Sequence, residues 1–274
     1  MNNLKTAVLL ATLSGLLIAL GGIFGGTSGA AIFFVIALAM NFGSYWFSAD
    51  IVLKTTGSKE LQRDQDPQLF AMVEEISQAA GMPMPRVYAM ESMQPNAFAT
   101  GRSPEKAAVA VTAGIRQLLS ERELRAVLAH ELAHVKNRDV LTSSIVAAIA
   151  SAISMIAWMG MFFGGGDRRN GAAGLLAVIV APIAATLIQL GISRSREFQA
   201  DADGAEISGD PEALASALQR IEMGARRIPM NVPESTAHLF IANPFAGLRG
   251  AKLLSTHPPT EERVARLMRR AQRQ

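Results

Sequence analysis

Four long apolar runs dominate the hydrophobic pattern of this chain, at residues 4–24, 30–47, 140–163 and 172–192. Each approaches the ~20 residues that cross the hydrocarbon core of a bilayer. The first two are joined by Gly25-Gly26-Thr27-Ser28-Gly29, which carries no charge, whereas Lys5, Lys54, Lys59 and Arg63 lie toward the outer ends. That asymmetry predicts a hairpin with both ends in the cytoplasm. A cleaved signal peptide is the alternative for the first run, but its apolar stretch is too long and a second run follows at once. Tyr45 and Trp46 fall where an interfacial aromatic anchor is expected. Ala, Ser and Gly dominate the later pair of runs, as they do where membrane helices pack closely, and Pro182 is placed to kink the last one. Two buried helices of a soluble core are the competing reading of that pair. Arg168 and Arg169 in its connecting loop count against an external loop, but the flanking segments are richer still in Lys and Arg.

Between the runs the pattern becomes amphipathic. Residues 66–80 read as a helix ended by Gly81, and Pro83 and Pro85 lead into a short strand over residues 86–90. Residues 96–100 and 107–112 read as a strand pair bridged by Gly101-Arg102-Ser103-Pro104. Asp210-Pro211-Glu212 supplies an N-cap, a proline and a first-turn acid for one helix, and Thr260-Glu261-Glu262 starts another. The expected fold is mostly helical: four transmembrane helices and a small antiparallel sheet.

Composition changes this picture little. The chain has 274 residues, 50% of them hydrophobic, with a mean hydropathy of +0.24. A net charge of +3 and a pI of ≈ 9.5 fit basic flanks lying against an anionic leaflet. No aromatic-basic motif of a nucleic-acid reader accompanies them. Cysteine is absent, so a tight metal site has only His and carboxylates to draw on.

Such a site is visible. Ser120 and Glu123 form a capping-box pattern at the head of a predicted helix that carries His130-Glu131-Leu132-Ala133-His134. At 100° per residue the two imidazoles share a face one turn apart and can bind one Zn²⁺, with Glu131 beside them. Half of the chain's four histidines lie in this motif. Downstream, Glu197 and Asp201 are one turn apart in Arg196-Glu197-Phe198-Gln199-Ala200-Asp201. Glu197 is the candidate third ligand, and Asp201 the candidate acceptor for the outer nitrogen of a ligand imidazole. A solvated acidic pair among arginines is the plainer reading of these two.

Together these segments resemble the M48 family of integral membrane metallopeptidases. The likeness extends to Pro95-Asn96-Ala97-Phe98-Ala99-Thr100-Gly101 before the metal helix, to the runs between the ligand segments, and to His257-Pro258-Pro259. The resemblance implies a gluzincin-like α+β catalytic domain with one Zn²⁺ per chain. It also implies an active site facing the cytoplasm at the bacterial inner membrane, and degradation of misfolded membrane proteins. The expected organisation is a transmembrane hairpin at 1–49, a catalytic part at 50–139 with edge strands and the zinc helix, a second hairpin at 140–192, and a catalytic part at 193–274 with the third ligand.

In the expected reaction, zinc on His130, His134 and Glu197 leaves one position for water, and Glu131 moves the water's proton to the leaving amine. Candidate stabilisers of the transition state are His257 and Asn96, with His238 behind them; capping or turn chemistry would explain them equally. The expected partners are unfolded or membrane protein substrates, bound as an added strand along residues 96–100, and the lipid bilayer. Nucleic acid is not an expected partner. A zinc-stabilised adaptor without activity, or a peptidase with one dedicated membrane substrate, are the alternatives. A transporter is disfavoured because the apolar runs carry essentially no ionisable groups.

Overall fold

The computed structural model describes residues 2–139, 194–228, 240–241 and 258–273. The second predicted hairpin (140–192), His238 and His257 lie outside them.

Helix α1 (Asn2–Thr55) runs through both of the first apolar stretches. It is not a straight rod. Gly26 has φ 58°, and a Cβ on Gly21 would collide with the Gly29 carbonyl and lie 2.6 Å from Phe33 Cβ. Residues eight and twelve apart would be separated by roughly 12 and 18 Å along a straight helix, so the chain folds back on itself here. Taken over the described residues, no helix is long and apolar enough to cross a membrane; the four spans carry forward as a proposal.

A four-stranded sheet follows, in the order β1 (Lys59–Glu60), β2 (Arg86–Met90), β4 (Ala108–Thr112), β3 (Ala97–Thr100). The predicted 96–100/107–112 pair is present and antiparallel, with Ala97 opposite Val111 and Thr100 opposite Ala108. The expectation of a wholly antiparallel sheet is corrected: β2 runs parallel to β4, with Arg86 opposite Ala108 and Met90 opposite Thr112. The reason lies in the connection. β3 fills the β2–β4 crossover and turns back onto the far edge of β4, leaving the near edge to β2 in the same direction. All of Ala108-Val109-Ala110-Val111-Thr112 is buried, as a central strand covered on both faces requires.

Alternate residues divide the sheet between two cores. Val87, Ala97, Ala99, Val109 and Val111 face the main helical core. Tyr88, Met90, Phe98, Ala108 and Ala110 face Val52 and Leu53 of α1, together with Phe240. The Phe98 and Phe240 rings meet edge to face at 5.1 Å.

Helix α2 (Pro67–Ala80) begins where Asp66 accepts a hydrogen bond from Leu69 N at 3.1 Å. It ends at Gly81, whose φ of 67° suits a residue without a Cβ. A short helix, α3 (Ala113–Leu118), leads to α4 (Glu121–Lys136). The predicted capping box opens α4: Ser120 N donates to Glu123 Oε2 at 2.9 Å while Ser120 Oγ accepts from Glu123 N at 3.3 Å. Then come α5 (Arg194–Ser208), α6 (Pro211–Arg227) and α7 (Thr260–Ala271). Leu214, Leu218 and Ile221 of α6 and Leu267 of α7 join the main core. Helix α4 lies at its centre, against α2, α5, α6 and strand β3, so the His-Glu-x-x-His segment sits on a helix packed on several sides.

Candidate metal centre

The regular turn of α4 places His130 and His134 side by side, ring centroids 4.8 Å apart and planes at 85°. Helix α5 brings Glu197 to them: Oε1 lies 3.3 Å from His134 Nε2 and Oε2 lies 4.0 Å from His130 Nε2. One donor atom from each of the three lies within 4.8 Å of the others. Ligands about 2.1 Å from a tetrahedral zinc stand roughly 3.4 Å apart, so the set fits such an ion with small adjustments. Two neutral imidazoles and a carboxylate also suit a borderline divalent metal chemically. His130 is sealed in, whereas His134 retains 15% exposure, so the centre is reached from the His134 side.

The close crossing of α4 and α5 depends on Gly204. A Cβ there would stand 2.7 Å from His130 Cα and 2.8 Å from His130 N, so only glycine lets the two backbones approach this far. Asp201 comes from the same helix, its Oδ1 3.1 Å from His130 Nδ1. That contact is short but falls outside good hydrogen-bond geometry, so a carboxylate stands behind the ring without the hydrogen bond the sequence led one to expect.

Two residues of this environment escaped the sequence reading. Asp139 approaches His134 Nδ1 at 3.4 Å. It does so because Arg138, with φ 58°, turns the chain back at the end of α4. Arg263 of α7 is almost completely buried and binds both oxygens of Asp201, from Nε at 2.9 Å and Nη2 at 2.6 Å. Its Nη1 is 3.7 Å from Glu197 Oε2, and its Nη2 is 3.3 Å from His130 Nε2. A signal existed in the sequence: Arg263 stands four residues before Leu267, on the face of α7 that packs inward.

Charge in this pocket is strongly coupled. Burial lowers the pKa of His130, with Asp201 opposing and Arg263 reinforcing the shift, which favours the neutral, ligating imidazole. For His134 burial acts downward too, but Glu197 and Asp139 outweigh it and hold the pKa up to about 10. A metal ion on this ring competes with that proton. Burial also opposes ionisation of Asp201, yet Arg263 overcomes it and keeps the carboxyl well below its usual range.

Glu131 lies on the sheet side of α4, and its Oε2 accepts a hydrogen bond from Ala99 N of β3 at 3.0 Å. Burial pushes its pKa up to about 8, with His134 pulling it down and Glu197 adding to the rise. The outer edge of β3, all of whose residues are buried, is therefore partly engaged. Ala99 N is held by Glu131, and Ala97 O accepts from Ile241 N at 3.1 Å. Asn96 is buried ahead of β3, its Oδ1 accepting from Ala97 N at 3.2 Å and its Nδ2 donating to Gln94 Oε1 at 3.5 Å.

The profile of peptidase family M48 matches residues 63–271, three-quarters of the chain, including every residue of this cluster. The chain belongs to peptidase family M48. Two relatives are each described as a protease HtpX homolog. The one from Methylibium petroleiphilum is 55% identical, with 97% of each chain covered. The one from Burkholderia thailandensis is 53% identical over 98% of this chain and 97% of its own. The fold is similar to that in the crystal structure of S. mikatae Ste24p, with a TM-score of 0.53 at 17% identity. That alignment covers 97% of this chain and 65% of the Ste24p chain. As an M48 member the chain is a metallopeptidase, and among the described residues His130, His134 and Glu197 form a group that could hold a metal ion.

Proposed function

We propose that the chain is a zinc endopeptidase anchored in the bacterial cytoplasmic membrane by hairpins at 1–49 and 140–192. Its active site, built from 50–139 and 193–274, faces the cytoplasm. In this reading it removes misfolded or damaged membrane proteins. The observation that carries the reading is the juxtaposition of Glu131, the His130–His134–Glu197 group and the edge of β3. The names of the relatives from Methylibium petroleiphilum and Burkholderia thailandensis support the protease assignment.

Zinc bound by His130, His134 and Glu197 would supply Lewis acidity and lower the pKa of water. Glu131, held beside the metal group by Ala99 N, takes the proton from the attacking water and returns it to the leaving amine. Asp201 and Asp139 orient the two imidazoles through their outer nitrogens. Substrate adds as a strand along β3 from Ala99 onward, its backbone pairing indifferent to side-chain identity. Asn96 and His257 are the proposed stabilisers of negative charge at the scissile carbonyl.

The test is a zinc add-back assay on the full chain in mild detergent, with casein as the unfolded substrate and Glu131→Gln beside the wild type. Zinc-restored cleavage by the wild type, reduced at least ~10²-fold in the variant, is the expected result. Silence from both, with zinc bound and the fold intact, would instead favour a zinc-stabilised adaptor.

A further inference from the structure

The second limb of α1 leaves Ile32, Val35, Ile36, Leu38, Phe42, Trp46 and Phe47 exposed. From Ile32 to Phe47 this apolar surface extends about 22 Å along a helix. It ends at a recess of ≈ 420 Å³ where Phe42, Trp46 and Phe47 meet Arg86, Arg102 and Lys106. The Arg102 guanidinium lies 3.8 Å from the centroid of the Trp46 ring, and Phe42 packs on Trp46 at 5.8 Å. One carboxylate, Asp50, also lines the recess and lies 3.5 Å from Arg86. It offsets a single cation, so Arg102 and Lys106 remain as excess positive charge.

An apolar helix face is stable where hydrocarbon covers it, and indole rings settle at the headgroup level. Cations just beyond that level meet phosphate. All three features occur here in that order along one surface. We propose that this recess binds the headgroup of an anionic phospholipid, with Arg102 and Lys106 on the phosphate and the acyl chains along the exposed face of α1. The proposal rests on the membrane placement argued above. Because Arg102 directly follows β3 and Gly101, a lipid bound there holds the end of the substrate-pairing strand at the bilayer surface.

Native mass spectrometry of the full chain in detergent, titrated with phosphatidylglycerol or phosphatidylcholine, tests this. Preferential retention of phosphatidylglycerol is expected, weakened at least about tenfold in Arg102→Ala/Lys106→Ala. In parallel, Trp158→Phe leaves Trp46 as the one indole of the two in the chain, and brominated phosphatidylglycerol should quench it more than brominated phosphatidylcholine. Equal retention and equal quenching by the two lipids would overturn the proposal. So would displacement of phosphatidylglycerol by an equal concentration of inorganic phosphate, which would make the recess a simple anion site. The Arg102→Ala/Lys106→Ala variant should still sediment with membranes and cleave casein in detergent. If the wild type itself fails to sediment, the membrane placement is the part that fails.

Discussion

Arg263 grips both carboxylate oxygens of Asp201, at 2.9 and 2.6 Å, in a pocket closed to water. The pair locks α7 onto α5 against the His130 ring. Its planar fork matches the carboxylate, so lysine cannot replace it. Removing one partner strands the other as an uncompensated buried charge. Arg263→Met should therefore cost about 3–5 kcal/mol, measured by chemical denaturation in detergent. Combining it with Asp201→Asn should cost less than the sum of the single changes. A loss below about 1 kcal/mol for Arg263→Met would show that the pair carries no structural weight.

Gly204→Ala tests the helix crossing. The new methyl group would meet backbone atoms of His130, which cannot yield as a flexible side chain would. Helix α5 must move away, taking Glu197 and Asp201 with it. Stability should fall by about 1–3 kcal/mol, and zinc should be lost to a chelator at lower concentration than from the wild type. Gly209→Ala is the control. Gly209 has φ 70° but open space around it, so alanine there should strain the end of α5 while leaving zinc retention unchanged.

Glu123 links pH to stability away from the candidate metal centre. It accepts from Ser120 N at 2.9 Å, Ser216 Oγ at 2.7 Å and Arg220 Nη1 at 2.6 Å. Burial raises its pKa, but these bonds outweigh burial and leave it below the ordinary glutamate value. A depressed carboxylate stabilises the fold fully above its unfolded pKa of about 4.3, and the contribution is lost as pH falls through the lower folded value. The gap in melting temperature between wild type and Glu123→Gln should be widest above about pH 5 and close on acidification. A gap that is constant across that range would remove the linkage.

Local chemistry was legible where one segment decides the outcome. The Gly81 stop of α2, the capping box of α4 and the Asp210-Pro211 start of α6 all appear where the sequence places them. The sheet was harder. The β3–β4 pair has a turn between its strands, whereas β2 reaches β4 only across an intervening strand, and no local signal specifies that parallel register. Lys59–Glu60 is a two-residue strand, too short to show an alternating pattern.

The sequence by itself determined the two halves of the candidate metal centre: His130, Glu131 and His134 on one helix, Glu197 and Asp201 on another. Helical periodicity sets those relations within four residues, whatever surrounds them. Only the tertiary structure decided how the halves meet. The Gly204 crossing, the turn that returns Asp139 to His134, the Ile241 contact on β3 and the placement of Arg263 all depend on packing. Arg263 and His130 are 133 positions apart in the chain. At that separation no periodicity carries register, and burial of a shared core selects the partner.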